Sequence, residues 1–147
     1  MTDIYIGIDP GTHTGIAVWS SKERKLLSVE TKGMYEATED ILFIAERYGP
    51  NNILVRFEDA RKRNWFGNSG REQLQGAGSI KRDCSLWEEF LTSKGIPFVS
   101  VAPKANRTKM KPEAFAKYTG WAKRTSEHAR DAAMLVFGLI SNVNIVN

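Results

Sequence analysis

The stretch IYIGIDPGTHTGIA, residues 4–17, decides the fold. Ile4 to Asp9 is β-rich, Pro10-Gly11-Thr12 turns the chain, and Gly15 to Trp19 returns as a second apolar run, so the sequence predicts a β-hairpin. Outward from it, the polar segment Ser20 to Lys25 precedes a third strand over Leu26 to Thr31, completing a three-strand antiparallel meander. Glu36 to Tyr48 carries Ile41, Ile44, Ala45 and Tyr48 at helical spacing and is stopped by Gly49-Pro50. Asn52 to Phe57 follows that helix directly and ends in Glu58-Asp59, the pattern of a buried parallel strand with acids at its C-terminal end.

Arg61 to Gly70, RKRNWFGNSG, is a basic and aromatic loop without periodicity. A long helix is predicted from Arg71 to Ser93, with Leu74, Ala77, Ile80, Cys84, Trp87 and Leu91 along one stripe and Gly95 as its cap. A last strand over Ile96 to Val101, the basic loop PKANRTKM (residues 103–110) and a short helix from Pro112 to Tyr118 follow. Thr125 or Ser126 can N-cap a final helix running to about Ser141. The order β-β-β-α-β-α-β-α-α predicts a single α/β domain over residues 1–147, a mixed five-stranded sheet flanked by helices.

A chain of 147 residues with 41% hydrophobic content can build one core without disulfide or metal staples. Four tryptophans and seven phenylalanines exclude a low-complexity chain. The single cysteine, Cys84, excludes an intrachain disulfide and a multi-cysteine zinc site. No apolar run is long enough to span a bilayer and no signal sequence is evident, so we expect a cytoplasmic protein, or one of the host cytoplasm if viral. The formal charge of +4 favours a polyanionic partner. Its distribution says more: Arg56 to Arg82 holds seven basic residues against three acids, and Lys104 to Arg130 holds eight against two.

Three sequence-distant acids fall where chemistry could gather. Asp9 ends the first strand, Glu58 ends the fourth, and Asp131 sits on the last helix among Ala129, Ala132 and Ala133, small residues that let a helix approach a sheet closely. Each alone has an ordinary reading: Asp9 before Pro-Gly suits a turn, Glu58 can pair with Arg56 or Arg61, and Asp131 can be a solvated helix residue. Together they define a carboxylate cluster, which resists ionisation unless a hard divalent cation fills the gap. His128, three residues before Asp131, shares its helix face.

The segments IGIDPGTHTGIA, VRFEDA and HARDAA resemble, in order and over nearly the whole chain, the first, middle and last motifs of the RuvC-type Holliday junction resolvases of the ribonuclease H-like superfamily. The resemblance implies that Asp9, Glu58 and Asp131 are catalytic metal ligands, with two Mg2+ or Mn2+ ions per site. His128 stands where many members have a fourth, aspartate ligand, so it can serve as a ligand or handle a proton. It further implies a homodimeric endonuclease that cuts branched DNA, four-way junctions above all, to leave a 5′-phosphate and a 3′-hydroxyl. Three alternatives stand beside it. One is the same chemistry on flaps, forks or RNA-containing hybrids, another a non-cleaving binding module for branched nucleic acid. The third is an actin-like nucleotide-binding domain, which the absence of a second phosphate loop disfavours.

Candidate DNA contacts follow from charge. Arg61, Lys62 and Arg63 lie beside Trp65 and Phe66, whose rings could stack on an exposed base or dock on the protein's own core. Lys104, Arg107, Lys109 and Lys111 form a second group, extended by Lys123, Arg124 and Arg130, and could neutralise phosphates. Paired cuts across a junction call for a two-fold dimer, and Leu86 and Phe90 on the long helix add apolar surface beyond the core stripe.

Overall fold

The computed structural model describes residues 2–62 and 71–140, and for residues 71–77 the backbone alone. Five strands form one sheet: β1 (Ile4–Asp9), β2 (Thr14–Ser20), β3 (Lys25–Lys32), β4 (Ile53–Glu58) and β5 (Phe98–Val101). Their order is β3-β2-β1-β4-β5, with β1–β2 and β2–β3 antiparallel and β1–β4 and β4–β5 parallel. The predicted meander is found, and β1 and β4 are direct neighbours. Among the described residues there are four α-helices: α1 (Met34–Tyr48), α2 (Arg71–Ser93), α3 (Pro112–Thr119) and α4 (Glu127–Met134).

Strand alternation assigns the faces. Ile4, Ile6 and Ile8 of β1, Ile16 and Val18 of β2, and Ile53, Val55 and Phe57 of β4 meet Ala37, Ile41 and Ala45 of α1 and Cys84, Trp87 and Leu91 of α2. The opposite parity, Tyr5, Ala17 and Trp19, packs with Phe115 of α3 and with Ala129, Ala132 and Ala133 of α4. The result is a sheet between two helical layers. Asp9 shares the parity of Tyr5 and Gly7, and Glu58 that of Leu54 and Arg56, so both acids belong to the α4 side at the C-terminal ends of adjacent parallel strands.

Three expectations need correction. The last helix ends at Met134 rather than near Ser141, because residues 135–138 turn, with Gly138 at φ +84°. That turn lets the Leu139 carbonyl accept from the Trp19 indole at 2.7 Å, a tertiary bond that periodicity alone could not foresee. The last strand begins at Phe98, two residues later than expected. Ile80 is off the buried stripe of α2 and 41% exposed, while Cys84, Trp87 and Leu91 are fully buried. Leu74, Ala77, Arg63, Trp65 and Phe66 lie outside the residues whose side chains are described.

Candidate active site

Helix α4 lies unusually close to the sheet, and two glycines are the cause. A Cβ at Gly7 would stand 2.0 Å from the Ala132 carbonyl oxygen, and one at Gly15 2.0 Å from that of His128. Both glycines share the face of Asp9, so the α4 backbone rests directly on β1 and β2. The Ser126 hydroxyl caps the helix by accepting from the Ala129 amide at 3.1 Å, and Thr31 bonds the same hydroxyl from β3. Ala129, Ala132 and Ala133 are buried in the contact.

This seat delivers His128 and Asp131 to the end of β1. His128 Nδ1 lies 3.0 Å from Asp9 Oδ2, with the imidazole half exposed and the carboxylate nearly buried. The Glu58 carboxyl lies close enough to Asp9 to influence its titration. Burial pushes the Asp9 carboxyl above the usual carboxylate range, and the hydrogen bonds and charge of His128 offset only part of that rise. Asp131 is raised as well, first by burial and then by the neighbouring Asp9 charge, against the hydrogen bond from the Lys109 amide. The acids therefore sense one another across a single corner.

Among the described residues, no three His, Cys, Asp or Glu side chains already stand together in a metal-binding arrangement. Asp9 Oδ2 is instead turned onto His128. In kind, however, the donor set suits Mg2+ or Mn2+: three carboxylates on rigid elements, two of them with raised proton affinity, gain most from a divalent cation. Asp9, Glu58 and Asp131 would hold it, with His128 beside them.

The surrounding cations divide by what they touch. Arg61 does not pair with Glu58. Its guanidinium bonds buried Asp59 at 2.8 Å and Glu88 of α2 at 2.7 Å, while Arg56 donates to the Leu135 carbonyl at 2.9 Å. Arg130, expected at the surface, is buried: it donates to the Met110 carbonyl at 2.7 Å and the Thr125 carbonyl at 2.8 Å. All three arginines are committed to the protein. Lys62 is exposed and donates to the Ser100 carbonyl at 3.0 Å. Lys104, Arg107, Lys109, Lys111, Lys123 and Arg124 remain exposed, with Arg107 over the Tyr118 ring and Lys123 over that of Trp121.

The Asp59–Arg61 pair makes a stability prediction. Burial disfavours the Asp59 charge, but the Arg61 hydrogen bonds and charge outweigh it and hold the carboxyl below its usual range. Arg61→Ala would strand that charge and is expected to cost about 3 kcal/mol at pH 7, measured by urea unfolding. Because the folded-state value is depressed, the pair's contribution is complete above about pH 4 and fades as pH falls through the folded value. The gap between wild type and variant should therefore close in acid.

Gly7, Gly15, Asn106 and the Lys109 main chain are the groups that sequence reasoning passed over. For the glycines a signal existed: they stand two residues before Asp9 and opposite it on the returning strand, on the same face.

An antiparallel meander continued by parallel strands, with acids on the first and fourth strands and on a helix crossing them, is a ribonuclease H-like α/β fold. Among solved structures the chain is similar to T. thermophilus RuvC in complex with a Holliday junction substrate, with a TM-score of 0.52 and 20% identity over 90% of this chain and 89% of that one. The fold is thus RuvC-like. No protein-family model and no curated protein matches the sequence. Among the described residues no helix is long and apolar enough to cross a membrane.

Proposed function

We propose that the protein is a Mg2+- or Mn2+-dependent endonuclease for branched DNA, with the four-way junction as its principal substrate. The observation that carries this reading is the convergence of Asp9, Glu58, His128 and Asp131 on one corner of a RuvC-like fold, beside exposed cations. Divalent ions bound there would supply Lewis acidity for in-line phosphodiester hydrolysis. The chain's own residues do the remainder. Asp9 fixes His128 through Nδ1, which leaves Nε2 to hold or pass a proton at the half-exposed mouth of the site. Lys104, Arg107, Lys109 and Lys111, with Lys123 and Arg124, would neutralise phosphates and fix the strand's path. The products would be a 5′-phosphate and a 3′-hydroxyl.

Paired incisions require a second copy of the chain. Ile80 and Leu86, each 41% exposed on α2, support an interface there, whereas Phe90 packs against the core. The test is a panel of four-way junction, flap, fork, linear duplex and RNA–DNA hybrid with each ion, read alongside light scattering. Symmetric cuts in the junction by a dimer, at least tenfold faster than on any other substrate, are expected. Equal rates on flaps or hybrids would favour the broader nuclease, and binding without cutting the non-cleaving module.

A further inference from the structure

The loop between β5 and α3 is tied to Asp131 more closely than a surface loop requires. The Lys109 amide donates to Asp131 Oδ1 at 2.8 Å, and the Asn106 side-chain amide donates to the Asp131 carbonyl at 3.1 Å. Arg130, the preceding residue, donates to the Met110 carbonyl at 2.7 Å. Lys109 makes its bond from φ +61°, a left-handed conformation that non-glycine residues adopt at a cost. Asn106 Oδ1 is buried without a hydrogen-bond partner among the described residues, although amide oxygens are rarely left so. Strain at one residue and an unanswered acceptor at another, both in the loop that hydrogen bonds Asp131, point past simple loop packing.

We infer that Asn106 and the Lys109 main chain are positioning groups for Asp131. They commit Oδ1 to the protein, leave Oδ2 to face a cation, and set the helix backbone beneath it. This inference rests on the metal-dependent nuclease reading and adds residues to it. The same loop presents Lys104, Arg107, Lys109 and Lys111 to solvent, so the element that would grip phosphates also aims the carboxylate.

The experiment titrates Mn2+ calorimetrically, without DNA, into wild type, Asn106→Ala, Lys109→Gly and Lys109→Val, each first checked for a cooperative melting transition. Cleavage of a four-way junction is then separated into kcat and KM. Lys109→Gly and Lys109→Val lose the same charge, but glycine accepts a positive φ freely and a β-branched residue does not, so their difference isolates the main chain. Outer hydrogen bonds to metal ligands are worth about 10-fold or more in affinity. Asn106→Ala and Lys109→Val should therefore bind Mn2+ about tenfold more weakly, with a similar fall in kcat. Lys109→Gly should bind Mn2+ as wild type does, with its loss confined to KM. The two weakened variants are independent, so misfolding of either leaves the other decisive. Wild-type Mn2+ affinity and kcat in whichever of them folds overturn the inference while leaving the nuclease reading in place. A wild-type chain that takes up no Mn2+ overturns both.

Discussion

Asp9→Asn is expected to lower kcat on a four-way junction by about a thousandfold or more, equivalent to ~4 kcal/mol of transition-state stabilisation. Junction affinity, measured by gel shift in Ca2+, should stay within about threefold of wild type, since phosphate contacts carry binding and lie elsewhere. The same substitution should not destabilise the protein. Asp9 is nearly buried and its carboxyl is raised by burial, so the folded state binds a proton that the unfolded chain releases. With more protons bound when folded, wild-type stability falls as pH rises from about 4 through the raised folded value. The neutral amide removes that dependence, and the melting temperature at pH 7 should match or exceed wild type. Cleavage retained at one tenth of the wild-type rate would remove Asp9 from the chemistry.

Gly7→Ala and Gly15→Ala are expected to be the most damaging of the glycine-to-alanine changes among the described residues. Each adds one methyl group 2.0 Å from a main-chain carbonyl oxygen of α4, where no side chain can swing aside. The helix itself must lift. Overpacking of this severity should cost about 3 kcal/mol or more in urea unfolding, and roughly 10 °C in melting temperature for a domain of this size. Gly33→Ala, with open space around the added atom, is the control and should change stability by only a few tenths of a kcal/mol. Any folded fraction of Gly15→Ala should also lose cleavage beyond its loss of stability, because the obstructed carbonyl belongs to His128.

Most of the architecture was legible because it is written in short-range patterns. Two apolar runs around Pro10-Gly11-Thr12 marked the hairpin, the apolar run after Gly49-Pro50 marked β4, and Asp9 and Glu58 stood out as the acids that end those strands. The alanines around Asp131 announced a close helix. What escaped the sequence depends on partners far along the chain. The stripe that continues through Val136 and Leu139 reads as helix, yet the Leu139 carbonyl is claimed by Trp19, and a turn results. Arg61 and Arg130 look like surface charge because a basic residue in a basic stretch carries no mark of where its guanidinium will go. Asp59, Glu88, Met110 and Thr125 decide that only after folding. Lys109 was legible as a charge, but its contribution to Asp131 comes from its amide, which every residue but proline possesses.

His128 and Asp9 stand 119 residues apart in the chain, joined only because α4 lies down on the first hairpin. During synthesis the hairpin and β4 leave the ribosome well before α4 does, and a growing polypeptide that ends in the β5–α3 loop owns two of the acids and neither residue of the helix. The corner is assembled last. A product truncated before α4 lacks His128 and Asp131, and on the proposed nuclease reading it is expected to be inert.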